Sequence, residues 1–374
     1  MTIAIDASRA IIESAGIGRF TKRLVENLLE QDKENKYILI FTYFRNDENK
    51  EKAIKAFRRE NVEIRTAKIP GALKETLWRG NSGLYNALYK DADVLLAPSF
   101  LEYKNGLKIP QVTIIHDMTT FIFPEQRGED VSERLSRQTL LALKGSKKII
   151  AVSKSTKKDI EKIAGTSENK VKAIYPGLNQ LAEPAKDLPK DLKKKSYILF
   201  VGTIEPRKNL TTLFAAYGML PPKLIEKYPL MVVGAEGWNT DRIYNSLMAT
   251  GVKNRIGFLG HVGDKDLSRL YQDAAVVAYP SLYEGFGFPI LEAMQFGTPV
   301  VTSKLSSMPE VAGSAGVLVN PDDPKSICGG LQAVLEGKIS RAQMAKAGKE
   351  QVKKFSWEKT AKETIKLLEE AING

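Results

Sequence analysis

The sequence has 374 residues, of which 43% are hydrophobic and 27% charged, with a formal net charge of +12 at pH 7. A single hydrophobic core stops growing at about 250 to 300 residues, so two domains are expected, and the balance of apolar and charged residues excludes a disordered or fibrous chain. The positive excess raises the local concentration of anionic partners, which keeps nucleic acid, anionic lipid and phosphorylated substrates in play.

Met1 runs directly into Thr2-Ile-Ala-Ile-Asp6, which reads as a first strand rather than a signal peptide. No stretch approaches the ~18 uninterrupted apolar residues of a membrane span, so a cytoplasmic protein is expected. Cys328 is the single cysteine and there are two histidines, too few for a Cys/His zinc site, and no metal is expected. Cys328 itself reads as ordinary packing. The first half then alternates short apolar runs with longer polar stretches: Ile3 to Ile5, Tyr37 to Phe41, Val62 to Ile64, Val94 to Ala97, Val112 to Ile115 and Lys148 to Val152. That rhythm predicts an α/β domain with a parallel sheet and crossover helices.

Within this half, Gly16-Ile-Gly-Arg-Phe20 lies shortly after the first strand and lacks the GxGxxG spacing of a dinucleotide site. Lys50, Lys52, Lys55, Arg58, Arg59, Arg65, Lys68, Lys74 and Arg79 accumulate near Leu77 and Trp78. They read equally as a solvated face or as a patch for an anionic membrane leaflet. The aromatics are not interleaved with these cations as a stacking platform for single strands requires. His116-Asp117 closes the run Thr113-Ile-Ile, at a strand end where ligands of open α/β sheets bind.

Residues 179–195 carry Pro184, Pro189 and a cluster of lysines without apolar periodicity and read as a linker. A second strand series follows: Tyr197 to Val201, Leu230 to Val233, Arg255 to Leu259, Ala275 to Tyr279, Thr298 to Thr302 and Gly316 to Val319. The expected domains are therefore 1–178 and 196–357. Apolar residues from Trp357 to Ala371 have helical spacing and predict a last amphipathic helix, 358–374, as a candidate to pack back on the first domain.

Two loops of the second half carry the strongest chemistry. Phe200-Val-Gly-Thr-Ile-Glu-Pro-Arg-Lys-Asn209 runs from a strand through Gly202 into a helix that Asn209 is placed to cap. Arg207 and Lys208 sit where a helix dipole disfavours cations, which points to an anion facing them. Ser281-Leu-Tyr-Glu-Gly-Phe-Gly-Phe-Pro-Ile-Leu-Glu-Ala-Met-Gln-Phe-Gly297 is a strand exit, a glycine turn and a short helix. Its amides at Phe286, Gly287 and Phe288 are placed to hold an anion or a sugar hydroxyl. Glu292 is expected in the first helical turn, where the dipole alone would stabilise it. Glu284 lies in the turn, which has no structural need of a carboxylate.

Glu284 and Glu292, separated by seven residues, resemble the signature of the retaining GT-B glycosyltransferases of family four, mannosyltransferase-like members included. The likeness extends to Val152-Ser153, Tyr175-Pro-Gly-Leu-Asn179 and Phe355-Ser-Trp357. It implies two Rossmann-like domains facing a central cleft, a nucleotide-sugar donor in the second and an acceptor in the first. Glu284 and His116 would then lie against the donor sugar, Glu292 on the ribose, and Arg207 and Lys208 on the diphosphate. Gly16, Gly18 and Gly202 join the donor-binding set, with Arg19 and Asp117 as weaker acceptor contacts and Asp117 a candidate to orient His116. Many members carry an arginine directly after the loop glycine where this chain has Thr203, which weakens the role of Arg207 relative to Lys208. The resemblance further implies a metal-independent hexosyltransferase without cofactor. The departing phosphate would take the acceptor proton on the same face, with mannose from GDP-mannose as donor sugar. The acceptor would be a glycan or lipid-linked oligosaccharide of cell-surface polysaccharide, met by a protein peripheral to the inner leaflet of the plasma membrane. A sugar-nucleotide 2-epimerase of the same architecture and a basic nucleic-acid-binding protein are the alternatives.

Overall fold

The computed structural model describes residues 1–12, 16–44, 48–69, 83–126, 128–187, 192, 194 and 196–374. Lys74, Leu77, Trp78 and Arg79 of the basic run lie outside them. The chain divides into two compact units, one of Met1–Pro124, Gly128–Gly177 and Ser356–Gly374, the other of Glu125–Arg127 and Leu178–Phe355.

In the first unit, β1 (Thr2–Asp6), β2 (Lys36–Tyr43), β3 (Val62–Lys68), β4 (Val94–Ala97), β5 (Gln111–Ile115), β6 (Lys148–Ala151) and β7 (Val171–Ala173) form one sheet in the order β3-β2-β1-β4-β5-β6-β7. Every pairing is parallel. Each run read from the sequence is a strand here, and β7 is an addition whose three residues are too short to show a period. The second unit repeats the design with β8 (Ile198–Val201), β9 (Leu230–Val233), β10 (Ile256–Gly260), β11 (Val276–Tyr279), β12 (Val300–Ser303) and β13 (Val317–Val319). Its order is β10-β9-β8-β11-β12-β13, again all parallel. Ile3, Ala4 and Ile5 of β1 and Val276, Val277 and Ala278 of β11 are fully buried, as in a sheet covered on both faces. Burying such a Val or Ile side chain contributes roughly 1.5 to 3 kcal/mol each.

In both sheets the strand order reverses beside the first strand, between β1 and β4 and between β8 and β11. The loops leaving these strands part to opposite sides there, which opens a crevice at the carboxyl edge.

The glycine motif after β1 forms the first turn of helix α1 (Gly16–Gln31). A Cβ on Gly18 would stand 2.3 Å from the Ile12 carbonyl oxygen, so only glycine lets the helix start pass that backbone. Helix α2 (Glu48–Lys55) carries part of the basic run and buries only Ile54. Lys52, Lys55, Arg58, Arg59 and Lys68 are exposed. Arg65 is instead engaged with Glu63 and with the carbonyls of Leu88 and Lys90, so it belongs to the fold of β3.

The segment 179–195 read as a linker is joined to the second unit where it is described. Leu178 N–H donates to the Phe355 carbonyl at 3.1 Å and Ala185 N–H to the Lys265 carbonyl at 3.0 Å. After Phe355 the chain returns to the first unit as the amphipathic helix α5 (Trp357–Asn373), numbered after α3 (Leu210–Gly218) and α4 (Phe288–Gln295) of the second unit. Helix α5 lies along α1 and against β4, β5 and β6, burying Thr360, Ala361, Thr364, Leu367, Leu368 and Ala371. Trp357 meets Phe20 edge-on at 5.3 Å between ring centroids.

Candidate functional site

The loop leaving β8 passes through Gly202 and makes a tight 3-10 turn, Pro206–Lys208, before α3. The loop leaving β11 carries Glu284 and turns at Gly287 into α4. Because β8 and β11 are neighbours at the order reversal, two loops 76 or 77 residues apart in sequence meet. Arg207 Nη1 donates to Glu284 Oε2 at 2.6 Å and to the Tyr283 carbonyl at 2.9 Å, while Nη2 donates to Glu205 Oε1 at 2.5 Å. Lys208 Nζ donates to Glu284 Oε1 at 2.6 Å and to Tyr279 Oη at 2.9 Å. Tyr279 in turn donates its hydroxyl to Glu284 Oε1 at 2.7 Å. The anion that the two cations face in this structure is thus the Glu284 carboxylate, 6% exposed.

Burial alone would raise the Glu284 carboxyl, but Arg207 and Lys208 outweigh it and hold the group at about 2, below its ordinary 4.5. A carboxyl depressed on folding contributes stability that is complete above pH 4.5 and lost as pH falls towards 2. The urea-unfolding gap between wild type and Glu284→Gln is therefore expected to be constant above pH 5 and to narrow by about 2 kcal/mol by pH 3. A gap that does not change with pH would contradict this ion-pair assignment.

Asn209 follows the cations in the left-handed conformation at φ +63°. Its expected capping bond to α3 is not made. The side-chain amide donates instead to the Pro280 carbonyl at 3.0 Å and the Pro321 carbonyl at 2.8 Å, tying the loops after β8, β11 and β13 together.

Gly287 has φ +106° at the residue before α4, a conformation open to glycine. The start of α4 leaves the Phe288 N–H without an intrahelical acceptor. Phe286 is 5% exposed, with its ring against Phe288 and Phe355 at 5.0 and 5.5 Å between centroids. Glu292 falls in the second turn of α4 and not the first, because the helix begins at Phe288, so the dipole does not account for it. It is buried and accepts a 2.8 Å hydrogen bond from the Tyr271 hydroxyl. Ser306 and Ser307, which sequence reasoning missed, shape the Glu284 turn. Ser306 Oγ donates to the Glu284 carbonyl at 2.7 Å, and Ser307 Oγ lies 2.7 Å from the Phe286 carbonyl. Nothing in their sequence spacing signals this, since they come from the loop after β12.

In the first unit His116 stands just beyond β5, and its Nε2 is 2.8 Å from the Pro98 carbonyl. A carbonyl only accepts, so the proton is on Nε2 and Nδ1 carries the lone pair. Burial holds this imidazole below its ordinary 6.5, hence neutral at pH 7. Phe20 packs its ring edge-on against it at 4.6 Å. Asp117 Oδ1 takes the Thr119 N–H at 2.9 Å, and its charge favours the protonated form of the neighbouring His116. Gly16 and Arg19 lie in the first turn of α1, and Arg19 is partly exposed.

Two family descriptions divide the chain: "Glycosyltransferase Family 4" matches residues 14–180 and "Glycosyl transferases group 1" residues 184–351. O-antigen chain mannosyltransferase B of Escherichia coli is 34% identical over 68% of this chain and 68% of its own length. The serotype-specific mannosyltransferase WbdA of Escherichia coli is 27% identical over 96% of this chain, which spans 47% of that longer protein. Among solved structures, sucrose-phosphate synthase from Thermosynechococcus elongatus superposes with a TM-score of 0.76 at 20% identity, covering 99% of this chain and 98% of that one. HepE of Anabaena gives 0.68 at 20% identity over 99% and 100%. At such identity these structures speak for the fold, the two-unit GT-B arrangement of parallel sheets. Fold, matched descriptions and mannosyltransferase relatives agree, and the chain belongs to glycosyltransferase family four.

Proposed function

We propose that this glycosyltransferase transfers a hexose, mannose in the first instance, from GDP-mannose to a glycan or lipid-linked oligosaccharide in cell-surface polysaccharide synthesis, with retention and without a metal. The observation that carries the reading is the Arg207–Lys208–Glu284 cluster at the carboxyl edge of β8 and β11, beside the start of α4. Lys208 has three donors, of which Tyr279 and Glu284 take two, and the third is the one assigned to the donor phosphate. The amides of Phe286, Gly287 and Phe288 hold the sugar and diphosphate, and Glu292 accepts from the ribose. The sugar–phosphate bond breaks as the acceptor oxygen bonds to the same face, and the departing phosphate, clamped by Arg207 and Lys208, takes the acceptor proton. His116 is assigned to the donor sugar, Gly16, Gly18 and Gly202 to the diphosphate, and Arg19 and Asp117 to the acceptor. The mannosyltransferase relatives support the choice of sugar.

A thermal-shift panel of nucleoside diphosphates and nucleotide sugars tests the reading. GDP and GDP-mannose at a hundred times their dissociation constants would add about 2.7 kcal/mol, and no response to any nucleotide would refute it. Among the described residues no helix is long and apolar enough to cross a membrane. We assign the exposed cations of and beyond α2 to an anionic leaflet. Sedimentation with anionic vesicles at low salt, lost at high salt, is the expected result, and absence of binding at low salt would remove the assignment.

A further inference from the structure

The order reversal of the first sheet is bridged in the same manner as that of the second. Beyond β1 a 3-10 turn, Ser8–Ile11, carries Arg9, and beyond β4 a second one, Phe100–Glu102, carries Glu102. Arg9 Nε donates to Glu102 Oε1 at 2.8 Å, and the other oxygen of Glu102 accepts from the Ser99 hydroxyl. Behind this pair Lys104 Nζ donates to Asp6 Oδ2 at 2.8 Å, and Ser8 Oγ donates to Asp6 Oδ1 at 2.6 Å. Glu102, Lys104 and Asp6 are 3%, 2% and 0% exposed, so desolvated charges lock the two loops, whereas the Arg9 side chain is 29% exposed. Removing such charges from water is costly unless each is paired, so a lock of this kind is weak as a source of stability and strong as a means of fixing direction. What it fixes is a guanidinium held by Nε alone. Among the described residues neither Nη1 nor Nη2 of Arg9 makes a hydrogen bond. Two parallel N–H donors on a planar fork, left over at a strand-end crevice, match an oxyanion taken bidentately. The β4 loop also supplies the Pro98 carbonyl that orients His116, so one loop sets the direction of both side chains.

We propose that Arg9 is the anion-binding residue of a second subsite, in the first unit, for a phosphate or diphosphate carried by the acceptor. The subsite rests on the reading that the first unit takes the acceptor. Ser99, Glu102, Lys104 and Asp6 position Arg9 without touching the ligand.

Isothermal titration of the full chain with inorganic pyrophosphate, in the presence of saturating GDP, tests it. Arg9→Gln is expected to weaken pyrophosphate at least tenfold and to leave GDP affinity within twofold, which also reports that the variant is folded. Arg9→Lys, keeping charge but losing the fork, falls between, and Lys208→Met leaves the pyrophosphate site intact. Pyrophosphate binding that is indifferent to Arg9→Gln overturns the proposal, as does an Arg9→Gln variant that loses GDP and pyrophosphate equally, since Arg9 would then serve the donor. Mannose 6-phosphate against methyl mannoside separates an acceptor phosphate from a free one, the phosphate ester binding in an Arg9-dependent way and the methyl glycoside not. If wild type binds no nucleotide but still binds pyrophosphate through Arg9, the donor reading fails and the subsite stands.

Discussion

Lys208→Met is expected to lower kcat by roughly 10²- to 10³-fold while GDP affinity changes less than tenfold, the size of effect seen when one preorganised donor at a developing charge is removed. Methionine is chosen over alanine because its unbranched stem fills the space of the lysine stem. Lys208 is 9% exposed and its Nζ is a direct partner of the Glu284 carboxylate, so deletion leaves a buried anion with one cation fewer. Breaking a buried pair from one side costs about 3 to 5 kcal/mol, and an alanine would add a cavity to that cost. Stability and turnover therefore have to be read together, by urea unfolding and by initial rates of nucleoside diphosphate release. A variant that is destabilised yet turns over at the wild-type rate would remove Lys208 from the chemistry and leave it a structural role.

Asn209→Ala is expected to destabilise the second unit by about 3 to 7 kcal/mol. Two buried carbonyls, of Pro280 and Pro321, would lose their donor, at roughly 1 to 3 kcal/mol each when left unsatisfied. Alanine must also adopt φ near +63°, which costs about 1 kcal/mol that asparagine largely avoids. Asn209→Gly separates the two contributions, since it restores the backbone freedom without the amide, and should recover about 1 kcal/mol of the loss. The residue follows Lys208 directly, so kcat should fall in both variants through slackening of the loop. Equal urea midpoints for wild type and Asn209→Ala would show that the amide bridge contributes nothing.

The strands were legible because a parallel sheet buried on both faces demands unbroken apolar runs, and Tyr37 to Phe41 or Leu230 to Val233 have no other reading. Local loop chemistry was legible because it is set by neighbours in sequence: Arg207 and Lys208 before a helix require an anion, and Gly287 and Gly297 bracket α4. Partners distant in sequence were not. That Glu284 is itself the facing anion depends on β8 and β11 being neighbours, a matter of sheet order on which the loop sequences are silent. The same holds for Tyr271 on Glu292, for the serines after β12, and for the Arg9–Glu102 pair, whose members are 93 residues apart. Asn209 misled because a cap and a three-loop tie demand the same residue at the same place. Glu292 misled because the helix begins at Phe288, one residue before Pro289, which carries Glu292 into the second turn.

The return of the chain to its first unit imposes an order on biogenesis. Residues 356–374 belong with the first unit yet follow the whole of the second in the polypeptide. At about 5 to 20 residues per second of synthesis, the groove that α5 fills stays open for roughly 10 to 40 s after the rest of the first unit has left the ribosome. Through that interval the apolar face of α1 and the ring of Phe20 have no Trp357 to cover them. The nascent first unit then holds an uncovered apolar face until the last helix arrives, while the second unit, whose bulk is the unbroken stretch Leu178–Phe355, can finish folding ahead of it.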